Sequence, residues 1–157
     1  QSKVKSLYEK FINEFISKIV PFEFYYQVIP TFRIGLPGNK FVGEYHKDSM
    51  YNHQSYEINF NLGLTNYLGR AALKTETFPN SKNFTFLECP YGSIFSFDHI
   101  DCLHGSEVNE TNKTMVSFDF RLALKDLYFT SDSKSVNMST SLCPGSYFSS
   151  KVINAKT

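Results

Sequence analysis

Between Pro21 and Leu124 the sequence is a series of short aromatic and β-branched runs separated by Gly, Pro and Asn. Runs of this kind, bounded by turn residues, predict β-strands. We expect eight strands, at residues 22–29, 31–36, 41–45, 56–64, 70–77, 84–89, 93–98 and 114–124. No helical pattern alternates with them, which argues against a βαβ fold. The pattern predicts a mostly β chain folded as a double-stranded β-helix, that is, a jelly-roll or cupin-like barrel.

An amphipathic helix precedes the strands. Pro21 ends the helix. The apolar residues of the helix recur at helical spacing, and they are Val4, Leu7, Tyr8, Phe11, Ile12, Phe15, Ile16, Ile19 and Val20. We expect this stripe to pack on the outside of a sheet. Residues 125–157 are polar and rich in Ser and Lys, and predict either a loosely structured tail or a strand-and-loop segment that closes the barrel. The chain then forms one domain: helix 1–20, jelly-roll core 22–124 and C-terminal segment 125–157.

Composition narrows the function classes. The 157 residues are 41% hydrophobic and 17% aromatic, enough for a packed core. Sixteen basic and fifteen acidic residues form no basic stripe, so we expect no nucleic-acid partner. No apolar run approaches the roughly 20 residues that span a bilayer, so we expect no membrane partner. Three irregularly spaced cysteines predict free thiols in a reducing, cytoplasmic setting. The start at Gln1 predicts a piece of a longer protein; the oligomeric state stays open.

The residues with the clearest chemistry are His46, Asp48 and His104. On an extended chain the side chains of His46 and Asp48 point the same way, and a jelly roll can bring His104 to them from a distant strand. Two histidines and one carboxylate bind one face of Fe(II) and leave the other face open. The pattern therefore predicts a catalytic non-haem iron site. The competing interpretation is that H-x-D is a common tripeptide and these are surface residues.

Two further histidines need separate interpretations. His99-Ile100-Asp101 repeats the H-x-D form, but only His104 lies beyond it, too close in sequence to come from a different hairpin. His53 either lines the pocket or is an ordinary loop histidine, and the second reading is the more common.

Several blocks in a fixed order resemble a known superfamily. They are Thr31-Phe32-Arg33, residues 43–49, Tyr51-Asn52-His53, residues 57–60, residues 92–98, His104-Gly105-Ser106 and residues 116–121. Residues 92–109 resemble the distal-histidine region of 2-oxoglutarate-dependent Fe(II) oxygenases. Residues 30–124 are similar to a small branch named after a streptomycin-biosynthesis protein. The resemblance implies that His46, Asp48 and His104 bind iron, that 2-oxoglutarate and O₂ are consumed, and that a small polar metabolite is hydroxylated.

One position departs from that resemblance. Such enzymes usually hold the far carboxylate of 2-oxoglutarate with an Arg, followed two residues later by Ser, because a guanidinium pairs a carboxylate through two hydrogen bonds. Here Met115 stands where the Arg is expected, and Ser117 is present.

Three basic residues are candidate replacements for the missing Arg. Arg121 shares a strand face with Met115, although a rim salt bridge to Asp119 is the more ordinary role. Lys74 is the second candidate, or else an outward-facing lysine, and Arg33 is the third. Asn59 lies on a polar strand face and is expected in the cosubstrate site.

Three functions therefore compete. The first is an active Fe(II)- and 2-oxoglutarate-dependent oxygenase. The second, prompted by Met115, is a cupin-like metal enzyme that does not use 2-oxoglutarate, such as an isomerase or another dioxygenase. The third is a non-catalytic binding barrel with a vestigial triad.

Overall fold

The computed structural model describes residues 3–129, 132–136 and 139–155. A helix comes first, with an α-helical part Lys3–Phe11, a π-helical turn Ile12–Ile16 and a last turn Ser17–Ile19. Eight strands follow: β1 Phe24–Tyr26, β2 Thr31–Gly35, β3 Glu57–Gly63, β4 Leu73–Glu76, β5 Phe84–Leu87, β6 Ile94–Ser96, β7 His104–Ser106 and β8 Met115–Leu124. Single 3₁₀ turns occur at Asp48–Tyr51 and Gly69–Ala71.

The strands form two antiparallel sheets. The larger sheet has the order β1-β8-β3-β6, and β2 pairs with β8 beside β1. The smaller sheet has the order β5-β4-β7. This architecture confirms the predicted mostly β, double-stranded β-helical class with an N-terminal helix.

Strand β8 divides the apolar core from the polar interior. By the two-residue period of a strand, Phe118, Phe120 and Leu122 point to one side and pack with the helix. Asp119 and Arg121 point to the other side, between the two sheets, where both are buried. The alternation predicted for this strand therefore separates a hydrophobic face from a face that carries charge.

The helix buries only one of its apolar faces. Tyr8, Ile12 and Ile16 are at most 5% exposed and contact the outer face of the larger sheet. Some of the other residues of the predicted stripe are not buried, because a sheet covers only one side of a helix. Four of them are exposed: Val4, Leu7, Phe15 and Ile19.

The predicted strand at 41–45 is wrong. The backbone N–H groups of Phe41 and Val42 donate to the side-chain hydroxyl of Ser106 in β7, at 3.2 and 3.0 Å, and not to backbone carbonyls as in a strand pair. Directly after the segment, a bridge between His46 and His104 joins the chain to the edge of the smaller sheet. The chain does form a strand where none was predicted, at β7, and His104 begins it.

The C-terminal segment is irregular but anchored. Leu142 and Phe148 are fully buried, and bridges join Phe148 to Gln27 and Ile153 to Phe24. Of its two predicted forms, the described part resembles the closing segment and not a loose tail.

The three cysteines are free thiols, as predicted. Within the described ranges, no helix is both long and apolar enough to cross a membrane.

Candidate metal centre

The backbone brings His46 and His104 together. Each residue donates its N–H to the carbonyl of the other, at 3.0 and 2.9 Å. Asp48 begins the 3₁₀ turn that follows, and its N–H donates to the carbonyl of His99 at 2.9 Å. Residues from separate parts of the sequence therefore meet at one edge of the barrel interior.

The side chains of these three residues converge on one point. Asp48 Oδ1 lies 3.5 Å from Nε2 of His46 and 3.5 Å from Nε2 of His104. One ligand atom from each residue lies within 4.8 Å of the others. Adjacent ligands of an octahedral ion with bonds near 2.1 Å are separated by about 3 Å. The spacing is close to what a divalent cation requires.

The second nitrogen of each imidazole sets which nitrogen can bind a metal. Nδ1 of His46 donates to the carbonyl of Glu44 at 2.8 Å, and Nδ1 of His104 donates to the carbonyl of Cys102 at 3.0 Å. A carbonyl can only accept, so each Nδ1 carries the hydrogen and each Nε2 presents a lone pair. Two nitrogen lone pairs and a carboxylate oxygen are a donor set that fits Fe(II) or a similar ion.

The other oxygen of Asp48 is held by Arg121. Nη2 of Arg121 donates to Asp48 Oδ2, and Nη1 donates to the hydroxyl of Tyr147 at 3.1 Å. Burial by itself would raise the pKa of Asp48. The positive charge of Arg121 outweighs burial and holds the pKa of Asp48 well below its ordinary value. The carboxylate is thus ionised and available as a ligand.

His99 lies beside the triad, which the sequence did not predict. Its Nε2 is 3.9 Å from Asp48 Oδ2, and that nitrogen is buried without a hydrogen-bond partner. Burial lowers the pKa of His99 to about 3. Its partner in the second H-x-D motif, Asp101, is exposed. The motif therefore places a neutral imidazole against the centre without forming a second ligand pair.

A cavity of about 480 Å³ opens beside His46 and Asp48. His53 lies in the wall of this cavity. Of its two interpretations from the sequence, this pocket-lining role was the less common one. His53 Nδ1 donates to the buried carboxylate of Glu57 at 2.6 Å. Other lining residues are Gln27, Thr31, Arg33, Glu44, Tyr51, Ser135, Val136 and Tyr147.

The two arginines near the centre form ion pairs, and the partner of Arg121 is not the expected one. Arg121 does not form the expected salt bridge with Asp119, because Asp48 is its partner. Asp119 pairs instead with Arg33, through two hydrogen bonds of 2.6 and 3.2 Å. Arg33 lines both the large cavity and a smaller inner one behind the triad.

The other residues predicted to bind the cosubstrate, Asn59, Ser117 and Lys74, lie in different parts of the barrel. Asn59 and its neighbour Asn61 line the inner cavity, where Asn59 Oδ1 and Asn61 Nδ2 are buried without partners. Ser117 is buried and hydrogen-bonds Tyr67. Lys74 is not among the residues that line either cavity, and donates to Glu107 at 2.7 Å.

Met115 lies in a small apolar cluster whose other buried members are Tyr67, Ala71, Ala72 and Cys89. A carboxylate buried in that cluster would lack a charged partner and would be costly to desolvate.

Comparison with known proteins gives one relative and a fold neighbour. No protein-family model matches the chain. The chain is 32% identical over 124 residues to the streptomycin biosynthesis protein StrG of Streptomyces griseus. The match covers 79% of this chain and 59% of StrG, so the chain spans about three-fifths of the length of that relative. Its fold is similar to that of the non-heme monooxygenase ThoJ in the apo form, with a TM-score of 0.53 and 13% identity. That likeness covers 66% of this chain and 47% of ThoJ.

Proposed function

We propose that this protein is a non-haem Fe(II)- and 2-oxoglutarate-dependent oxygenase that acts on a small polar molecule. The observation that carries the proposal is the convergence of two imidazole lone pairs and Asp48 Oδ1 beside a cavity. The similarity to StrG and the fold likeness to a non-heme monooxygenase support a metal enzyme of this general kind.

His46 Nε2, Asp48 Oδ1 and His104 Nε2 would hold the iron. When bound, Fe(II) supplies O₂ activation coupled to conversion of 2-oxoglutarate into succinate and CO₂, with hydroxylation of the substrate. The protein's own residues orient the ligands and line the reaction space. The backbone carbonyls of Glu44 and Cys102 keep both imidazoles in the binding tautomer.

Arg33 is the basic residue best placed to meet the far carboxylate of 2-oxoglutarate. It points into the barrel, its register partner on β8 is Ser117, and it lines both cavities. Its guanidinium has five donors, of which Asp119 uses two, so further hydrogen bonds remain possible. The unpartnered Asn61 Nδ2 is a second donor in the same inner cavity.

The wall of the large cavity suits a polar substrate. His53, fixed by Glu57, and the two phenols of Tyr51 and Tyr147 supply hydrogen-bonding groups. A few polar groups in the wall of a cavity fix the orientation of a ligand and provide specificity.

Two observations favour a second function. Met115 lies among apolar residues, and both arginines near the centre already have carboxylate partners. These facts favour a cupin-like metal enzyme that does not use 2-oxoglutarate.

An anaerobic titration separates the candidates. Fe(II) and 2-oxoglutarate added to the protein should give a visible charge-transfer band, and admission of O₂ should release succinate. Asp48→Asn should abolish iron binding and the band. Lys74→Gln is the matched control and should keep both, because Lys74 lies outside both cavities. Iron binding without a band or succinate would favour the second function. Failure of the unaltered protein to bind iron would favour a non-catalytic barrel.

A further inference from the structure

The two oxygens of Asp48 have different environments. Oδ1 faces the two imidazole nitrogens, whereas Oδ2 accepts a hydrogen bond from Arg121. A carboxylate can bind a cation through one oxygen or through both. Here the buried guanidinium of Arg121 already donates a hydrogen bond to the second oxygen of Asp48.

We propose that Arg121 is a positioning residue that keeps Asp48 a one-oxygen metal ligand. The inference rests on the proposed metal site but not on the use of 2-oxoglutarate. A six-coordinate ion held by three protein atoms keeps three positions for other molecules. If Asp48 bound through both oxygens, only two positions would remain, too few for a cosubstrate that chelates through two atoms and for O₂.

Arg121 is itself held firmly. Its backbone N–H donates to the Gln27 side chain at 3.1 Å, and its carbonyl accepts from Gln27 N–H at 2.8 Å. Its register partner on the other side is Asn59 on β3. The residue is 8% exposed, so most of its side chain is enclosed by protein.

The guanidinium contacts two other groups besides Asp48. Tyr147 accepts a hydrogen bond from Nη1, and the carboxylate of Glu57 lies 4.0 Å from Nε. Nε forms no hydrogen bond, so Glu57 acts as a nearby negative charge and does not compete for the donor that Asp48 uses. The planar fork of Arg121 is therefore aimed at Oδ2 from a fixed position.

Arg33 provides a matched control within the same chain. It is also an arginine on a strand of the larger sheet, and it also pairs with a buried aspartate. Its partner, Asp119, is not part of the triad. Replacing Arg33 removes a similar ion pair without freeing an oxygen of Asp48.

The test counts water molecules on bound Mn(II), which substitutes for Fe(II). Water-proton relaxation enhancement should indicate three exchangeable waters in the unaltered protein and in Arg33→Gln. In Arg121→Gln, Asp48 is free to bind through both oxygens, and the enhancement per bound Mn(II) should fall by about one third. Arg121→Lys, which keeps the charge but loses the planar fork, should recover part of the difference. Thermal unfolding identifies variants that do not fold.

An unchanged enhancement in folded, Mn(II)-bound Arg121→Gln would overturn the inference. If that variant does not fold, Arg121→Lys decides instead, and an unaltered water count there overturns the inference as well. The proposed oxygenase function fails on a different result: addition of 2-oxoglutarate to the Mn(II) form of the unaltered protein would displace no water. The two failures are therefore distinguishable.

Discussion

At the scale of single residues, His99 makes a pH-dependent contribution to stability. Its pKa is about 3 in the folded protein, below the ordinary 6.5, because burial disfavours the charged ring. The unfolded chain therefore binds a proton that the folded chain does not, and the free energy of unfolding should fall as the pH drops from about 6.5 towards 3. Metal-free His99→Gln should show a shallower decline, by up to about 1.4 kcal/mol per pH unit. Urea unfolding of both proteins between pH 5 and 7 measures the difference, and equal slopes would contradict it.

The sequence predicted which three residues meet but not which charges surround them. H-x-D spacing and a later histidine are local patterns, and a jelly roll converts them into a cluster. The pairing of Arg121 with Asp48, and of Arg33 with Asp119, depends on side-chain directions on two strands and a 3₁₀ turn. The alternation along β8 predicts the face on which Arg121 lies, but it does not predict the ion-pair partner of Arg121 on that face.

At the scale of elements, the helix allows a paired test of burial. Ile12 and Leu7 both belong to the predicted apolar stripe, but Ile12 is fully buried and Leu7 is 58% exposed. Ile12→Ala should lower the free energy of unfolding by about 2–5 kcal/mol, because it leaves a cavity against the larger sheet. Leu7→Ala should change it by less than about 0.5 kcal/mol. Chemical denaturation measures both, and similar losses would show that the helix packs differently.

Strand prediction failed at the edge of the smaller sheet for identifiable reasons. Residues 41–45 include aromatic and β-branched side chains, yet the Ser106 hydroxyl takes the place of the backbone partners of a strand. Strand β7 is only three residues long and is buried throughout, so it shows no alternation that a sequence pattern could reveal. The longer strands, with turn residues at both ends, were found within a few residues of their observed bounds.

At the scale of the whole molecule, the C-terminal segment should contribute to stability despite its polar composition. Phe148 is fully buried against Tyr128 and Tyr147, whereas Phe129 is 69% exposed. Phe148→Ala should cost about 3–5 kcal/mol of unfolding free energy, and Phe129→Ala should cost little. Urea unfolding compares them. A Phe148→Ala protein as stable as Phe129→Ala would mean that the segment packs only loosely on the barrel.

Composition could not predict this packing. The segment is rich in Ser and Lys, and its attachment depends on a few apolar side chains and on Tyr147, which reaches Arg121 at the centre. Contacts between residues more than a hundred positions apart, such as Phe24 with Ile153, leave no periodic signal. The barrel class follows from strand patterning alone, while the cavity that this segment helps to enclose does not.

The reciprocal main-chain bonds between His46 and His104 have a consequence for metal loading. These bonds, and those from each Nδ1 to a carbonyl, orient the imidazoles through contacts that involve no ion. Assembly of the chain and acquisition of the cation are then separate events. A rigid nitrogen–oxygen donor set ranks divalent ions by the Irving–Williams series, in which ferrous iron binds less tightly than cobalt, nickel or copper. Which element the protein carries is therefore decided by what its surroundings supply, and not by the fold.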